Sequence, residues 1–133
     1  MNVLEINVLV LAYIGDTVYE NYVRHFLVNE GYGNVDKLQS ESIKFVSAKN
    51  QARFLQEVID KEFFNEDEMS VIRRARNYKN NRHPKNCDIV TYKHATALEA
   101  VIGYLDLIEN HDRIDAIMNY VLGGNLWLYM EEM

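Results

Sequence analysis

Leu11-Ala12-Tyr13-Ile14-Gly15-Asp16-Thr17-Val18-Tyr19-Glu20 is the stretch on which the fold turns. It lies inside an apolar run from about Leu4 to Leu27 whose rows Leu4, Val8, Leu11, Gly15, Val18, Tyr22 and Leu9, Ala12, Asp16, Tyr19, Val23 repeat at helical spacing. Such a run predicts a long central helix, apolar over much of its circumference, with Asn2 as its cap, Glu5 three residues on, and a stop at Gly31-Tyr32-Gly33. Asp16 takes a place where a hydrophobic residue is expected. Its neighbours at three and four residues are Ala12, Tyr13, Tyr19 and Glu20, so its carboxylate is expected to open onto a closely packed seam and to require a base, a hydrogen-bond donor or a metal ion as partner. Gly15 costs about 1 kcal/mol against alanine in a helix interior, and a glycine in that place marks the close approach of another chain segment.

The rest of the chain extends the helical pattern. Asn34 is placed to cap a helix with Val35, Leu38, Ile43 and Val46, and Ser47 to cap or kink into a third with Ala48, Ala52, Leu55, Val58 and Ile59. Asn65, followed by Glu66, Asp67 and Glu68, starts a fourth whose last turn carries Arg73, Arg74 and Arg76, a charge order that suits the helix dipole. After a polar loop from Tyr78 to Ile89, a fifth helix is expected from about Tyr92 to Ile108, with Ala95, Leu98, Ile102, Leu105 on one row and Ala97, Val101, Tyr104, Ile108 on another. Asn110 caps a last helix, ended by Gly123-Gly124. The apolar stretch Leu126 to Met130 is expected to pack on the core or on a second subunit. The expected architecture is all-α, a compact domain of about six helices spanning residues 1–133.

Composition agrees. With 48% hydrophobic and 26% charged residues, one proline and six glycines in 133, the composition excludes a disordered chain and argues against a turn-rich β-sandwich. The start Met1-Asn2-Val3-Leu4-Glu5 lacks the features of a signal peptide, and no apolar run is long enough to span a membrane, so a cytoplasmic location without membrane attachment is expected. Cys87 is the single cysteine, which excludes an internal disulfide and a multi-thiolate zinc site. The net charge of −6 is unevenly spread. Between Arg73 and Lys93 lie Arg73, Arg74, Arg76, Lys79, Arg82, Lys85 and Lys93, against Asp88 alone, so this segment carries +6 and the remainder −12. A local field of that sign can attract a polyanion.

Glu99 repeats the anomaly of Asp16. It interrupts the apolar rows of the fifth helix, with Ala95 four residues before and Gly103 four after. Were the faces of Gly15 and Gly103 to let two helices cross closely, the two carboxylates could meet and share a hard divalent cation. A magnesium ion so held polarises a phosphoryl group and lowers the pKa of an attacking water, the outline of phosphodiester hydrolysis. The competing reading has Asp16 or Glu20 paired with a base such as Arg24, and Glu99 pointing outward.

Leu11 to Glu20 resembles the signature of the ribonuclease III catalytic domain, a Leu-Gly-Asp-Ala-Val-like run bearing an active-site aspartate. Ala97-Leu98-Glu99-Ala100-Val101-Ile102-Gly103 resembles its second signature, in which a glutamate precedes an Ala-x-Ile-Gly turn. The similarity is closer to the Mini-ribonuclease III branch, through Phe45 to Ala52, Arg73-Arg74-Ala75-Arg76-Asn77, Pro84 to Asp88, and Thr91-Tyr92, and runs in order from about Leu9 to Gly123. The resemblance implies an all-helical, dimeric, Mg²⁺-dependent endonuclease that cuts double-stranded RNA to 5′-phosphate and 3′-hydroxyl ends. It also implies a role in maturing precursor 23S ribosomal RNA, with no DNA substrate expected. Asp16 and Glu99 inherit the catalytic and metal-binding positions. Arg73, Arg74, Arg76, Asn77, Lys79, Arg82, Lys85 and Lys93 are the expected RNA-binding set, with Lys49 and Arg53 as lesser candidates. Ala12 and Thr96 stand where full-length ribonuclease III has further acids, and no double-stranded-RNA-binding domain is expected to follow. These departures match the Mini branch and leave two carboxylates per site. The alternative on the same scaffold is a ribosome-assembly module that binds RNA without cutting it.

His25, His83, His94 and His111 show no ligand spacing. His94, one turn from Glu99, is the one histidine placed for a supporting role, and Tyr13 and Tyr19 are the tyrosines placed to touch the site.

Overall fold

Residues 1–79 and 83–123 are described by the structure, a computed structural model. Among them lie six α-helices: α1 Val8–Asn29, α2 Val35–Val46, α3 Ala48–Asp60, α4 Glu66–Arg76, α5 Ile89–Leu107 and α6 His111–Val121, preceded by a 3-10 turn at Val3–Glu5. No strand occurs among the described residues. Arg82 and the stretch Leu126 to Met130 lie outside the described residues.

Local chemistry sets most of the boundaries. Side-chain oxygens of Asn34, Ser47, Asn65 and Asn110 accept backbone N–H groups at the starts of α2, α3, α4 and α6, as expected. Asn65 and Glu68 form a reciprocal capping box, with both bonds at 2.9 Å. Two starts differ from expectation. Asn2 caps only the 3-10 turn, and Asn7 caps α1, because Ile6 is extended and interrupts the helix before it can propagate. The fifth helix begins at Ile89 rather than Tyr92, since Asp88 takes the cap position and holds Thr91 through both its backbone N–H and its hydroxyl, at 2.9 and 2.8 Å.

The helices share one core, and α5 is its axis. Ten consecutive or near-consecutive residues from Ala95 to Leu105 are buried, and α5 packs on α1, α3 and α4 more extensively than any other helix does. α1 and α5 meet backbone to backbone. A Cβ added to Gly15 would lie 1.7 Å from the Glu99 carbonyl oxygen, and one added to Gly103 would lie 1.9 Å from that of Leu11. Each glycine therefore sits directly on the other helix, the close crossing that Gly15 and Gly103 had suggested.

Polar links brace the periphery. Glu68, fully buried, receives Arg113 from α6 at 2.5 and 2.6 Å, and the same guanidinium donates to the Phe63 carbonyl at 2.8 Å while covering the Phe63 ring. The Tyr19 hydroxyl donates to the Phe45 carbonyl, which pins the end of α2 to α1, and Tyr22 donates to Asp115. Tyr120 donates to Glu57 at 2.5 Å, joining α6 to α3. No described helix is long and apolar enough to cross a membrane.

Candidate active site

The crossing of α1 and α5 delivers one carboxyl group from each helix to the same place. Asp16 follows Gly15, Glu99 is the residue whose carbonyl Gly15 rests upon, and their side chains lie within hydrogen-bonding reach of each other. Their environments differ. Asp16 is exposed, not sunk in an apolar seam as its neighbours in sequence suggested, because the face of α1 that it shares with Tyr13 and Thr17 is turned away from the core. Glu99 is the inner member, half-buried between buried Leu98 and Ala100.

Burial, then the hydrogen bond and charge of Asp16, push the Glu99 carboxyl up from the ordinary 4.5 to about 9; a hydrogen bond from Gln51 opposes them, and the charge of Glu20 adds to the rise. The shift favours the protonated form of Glu99 around neutrality. A carboxyl group whose charge is disfavoured by burial, beside a second acid, forms with it a set of hard oxygen donors short of positive charge, which fits a divalent cation such as Mg²⁺. Among the described residues no third His, Cys, Asp or Glu joins them in an arrangement able to hold a metal. The remaining positions around an ion held by Asp16 and Glu99 would fall to water and to a phosphate ligand, the habit of magnesium.

One neighbour was not singled out from sequence, and a second was named only as a possible partner of Arg24. Gln51 of α3, only 5% exposed, is a neighbour whose amide opposes the rise of the Glu99 carboxyl. The signal for it was available, since Gln51 stands in line with buried Leu55 and Val58, a polar residue on an otherwise apolar row. Glu20, one turn beyond Asp16, acts on Glu99 through its charge but is bound to Arg24 at 3.0 Å. The sequence alternative of an acid paired with Arg24 therefore holds for Glu20 and not for Asp16. Buried Tyr19 is also close enough for Glu99 to help raise its hydroxyl pKa, after the larger effect of burial. His94 is held below its ordinary value by burial and by the nearby Arg76, with Asp88 opposing.

Arg74, Arg76 and Lys79 lie where the C-terminal end of α4 meets the N-terminal ends of α1 and α5. Arg74, Asn77, Tyr78 and Lys79 line an open pocket of about 430 Å³ with Asn7 and Val8 of α1. Arg76 lies near His94 of α5. Among the described residues, one terminal guanidinium nitrogen of Arg74 is buried without a hydrogen-bond partner. Arg73 is engaged by Glu66 at 3.1 Å, the helix-stabilising role its position also suggested. Lys85 and Asn77 are exposed, Lys93 is half-buried, and exposed Lys49 opens α3 close to Gln51. Arg53 is bound to Glu57 at 3.1 Å and stands over the Phe54 ring. Along α1, Asp16 lies about 12 Å from Val8, and along α5 Glu99 lies about 8 Å from His94, at 1.5 Å per residue. The positive region and the acid pair thus occupy neighbouring stretches of the same two helices.

Comparison with known proteins agrees with this arrangement. The model of the Ribonuclease III domain matches residues 9–108, which include both acids and both glycines of the crossing. The chain is 40% identical to Mini-ribonuclease 3 of Staphylococcus aureus over 117 residues, covering 88% of this chain and 87% of that protein. It is 41% identical to Mini-ribonuclease 3 of Clostridium tetani over 119 residues, covering 89% and 78%. In three dimensions it superposes on the crystal structure of a Fusobacterium nucleatum protein with a TM-score of 0.81 and 32% identity, covering 90% of this chain and 96% of that one. A domain match across the whole helical crossing, together with this identity over most of each chain, means that the protein belongs to the ribonuclease III domain family, in its Mini-ribonuclease 3 branch.

Proposed function

We propose that this chain is a Mg²⁺-dependent endoribonuclease that cuts double-stranded RNA at a site built from Asp16 and Glu99. The observation that carries the proposal is the meeting of these two acidic residues at the glycine crossing, where burial and the neighbouring Asp16 push the Glu99 carboxyl up to about 9. Bound there, the ion would activate water and offset the charge that builds on phosphate during phosphodiester hydrolysis. Asp16, on the exposed face, presents its carboxylate toward solvent and substrate, while Glu99 anchors the inner side. Family membership supports a double-stranded RNA substrate. A regular A-form duplex is recognised through phosphates and 2′-hydroxyls rather than base sequence, which suits the cluster of Arg74, Arg76, Asn77, Lys79, Lys85 and Lys93 and disfavours DNA.

In the cell the proposed substrate is the precursor of 23S ribosomal RNA, in the cytoplasm, with residues 1–133 acting as a single domain in a homodimer whose two subunits each cut one strand. Support for the dimer comes from α1: Leu9, Val10 and Tyr13 are 37%, 51% and 77% exposed on the helix that bears Asp16. A run of exposed apolar side chains beside a site calls for a covering surface.

The test is cleavage of duplex RNA by the purified chain with Mg²⁺, alongside Asp16→Asn and Glu99→Gln. Wild-type cleavage that both variants lose by about a hundredfold or more is expected, since a metal-assisted step contributes several kcal/mol. Activity kept by both variants refutes the site. Wild-type binding without cleavage would instead favour an RNA-binding module.

A further inference from the structure

Arginines in this chain tend to be held by acids. Arg24 is bound by Glu20 at 3.0 Å, Arg53 by Glu57 at 3.1 Å, Arg73 by Glu66 at 3.1 Å, and Arg113 by Glu68 at 2.5 and 2.6 Å. Twenty acids against fourteen lysines and arginines make such pairing the expected state. Arg74 departs from it. The residue is half-buried, and among the described residues one of its terminal guanidinium nitrogens is buried without a hydrogen-bond partner. A buried charged donor left unmet is destabilising, more so than a neutral one. The charge of a guanidinium is delocalised over its nitrogens. An anion that meets Arg74 from an adjoining space therefore offsets the cost at the nitrogen that is shut in.

Such a space adjoins it. The open pocket of about 430 Å³ is walled by Arg74, Asn77, Tyr78 and Lys79 at the end of α4 and by Asn7 and Val8 at the start of α1. Among the described residues its lining contains no acid. The amino end of α1 favours an anion there and the carbonyl end of α4 opposes it, so the two helix dipoles largely offset each other and the full charges of Arg74 and Lys79 decide. Exposed Lys79 and Asn77 are free to turn toward a ligand. Two cations and an amide supply more donors than the two oxygens of a carboxylate use, and the arginine fork matches phosphate oxygens in pairs. An apolar ligand would leave the charge of Arg74 unmet. Val8 lies about 12 Å along α1 from Asp16, at 1.5 Å per residue, so a single phosphate does not reach both places. Deepening the reading of the basic residues as a surface for RNA, we propose that the pocket between α1 and α4 is a phosphate-binding site, separate from the acid pair, in which Arg74 and Lys79 hold one phosphate group, whether of an RNA strand or free in solution.

Titration of the full nitrogen-15-labelled chain with inorganic phosphate at constant ionic strength, with chloride as control, tests the pocket directly. The amide signals of Asn7, Val8, Asn77 and Tyr78 are expected to move and to saturate with phosphate alone. Arg74→Met is expected to lose phosphate affinity by about tenfold or more, the range of a hydrogen bond to a charged group, while Arg73→Gln, whose arginine is already taken by Glu66, stays within about twofold of wild type. Lys79→Gln, at an exposed position, is expected to lose about threefold. Duplex RNA binding in EDTA, where a metal-dependent enzyme does not cut, then identifies the source of the phosphate. If an RNA strand fills the pocket, the slope of log affinity against log salt falls by about one in Arg74→Met; if free phosphate alone fills it, the slope stays at the wild-type value. Phosphate shifts that are absent or do not saturate, together with an RNA salt slope unchanged in Arg74→Met, overturn the proposal. Equal losses in Arg73→Gln and Arg74→Met overturn it as well, since they mark a diffuse positive field. Should Arg74→Met not fold, Lys79→Gln decides through the same two measurements. A wild type that binds phosphate in the pocket but no duplex RNA overturns the RNA reading and leaves the pocket standing.

Discussion

Replacing Gly15 with alanine sets a methyl carbon 1.7 Å from the Glu99 carbonyl oxygen, 2.6 Å from its carbon and 2.8 Å from the Gly103 nitrogen. Ordinary contact begins at 3.4 Å, so the two backbones must part by roughly 1.5–2 Å at the crossing. No side chain can rotate out of the way, since every near atom belongs to a helix backbone. The parting is felt across the best-packed region of the molecule, where Leu11, Leu98 and Ile102 are fully buried. Overpacking in a core typically costs about 1–3 kcal/mol, and a clash against backbone on both sides belongs above that range, at about 4 kcal/mol. Alanine recovers about 1 kcal/mol through helix propensity. The net loss, about 3 kcal/mol, corresponds to a fall in Tm of about 10 °C for a domain of this size. Circular dichroism melting of Gly15→Ala measures it, with Gly33→Ala as control because nothing lies within 4 Å of a Cβ there. A Gly15→Ala protein that melts with the wild type would refute the backbone contact between α1 and α5, and with it the geometry that brings Glu99 to Asp16.

The Glu99 carboxyl supplies a second prediction. Its value rises from 4.5 in the unfolded chain to about 9 in the fold, so between these limits the folded protein holds a proton that the unfolded chain has released. The contribution of Glu99 to metal-free stability therefore falls as pH rises from about 4.5 to about 9, and is level above that. A divalent cation needs both acids ionised, so its binding expels this proton and its apparent affinity should climb close to tenfold per pH unit around neutrality, flattening above about 9. Calorimetry in buffers of different ionisation enthalpy counts the release; about one proton per ion at pH 7 is expected, and none would contradict the coupled pair. A third prediction concerns Glu68, fully buried and bound twice by Arg113, whose side chain is 12% exposed. Glu68→Ala strands the guanidinium and removes the Asn65 capping box, and should cost about 3–5 kcal/mol in urea denaturation. Glu68→Leu combined with Arg113→Met should recover much of that loss, and a single variant costing under about 1 kcal/mol would show the pair to be unimportant.

What the sequence determined by itself was whatever depends on residues within one turn of each other. Caps at Asn34, Ser47, Asn65 and Asn110, the helical rows and the weak points at Gly15 and Gly103 are all such features, because a cap or a period is satisfied by the chain's own neighbouring atoms. Even there two starts were misplaced: Asn7 took the cap assigned to Asn2, and Asp88 began the fifth helix ahead of Tyr92. Periodicity could mark Asp16 and Glu99 as out of place, and resemblance could put them in one register, but neither could say which was exposed. The tertiary structure decided that. Which face of α1 is covered depends on how α5 seats against it, and that seating leaves Asp16 at the rim and Glu99 within. It also decided that Gln51 reaches Glu99 from α3, that Glu20 is occupied by Arg24, and that Arg73 is drawn to Glu66. These are contacts between surfaces distant in sequence, or choices among several nearby partners, and they are settled only when two helices with no side chain between them come to rest on each other.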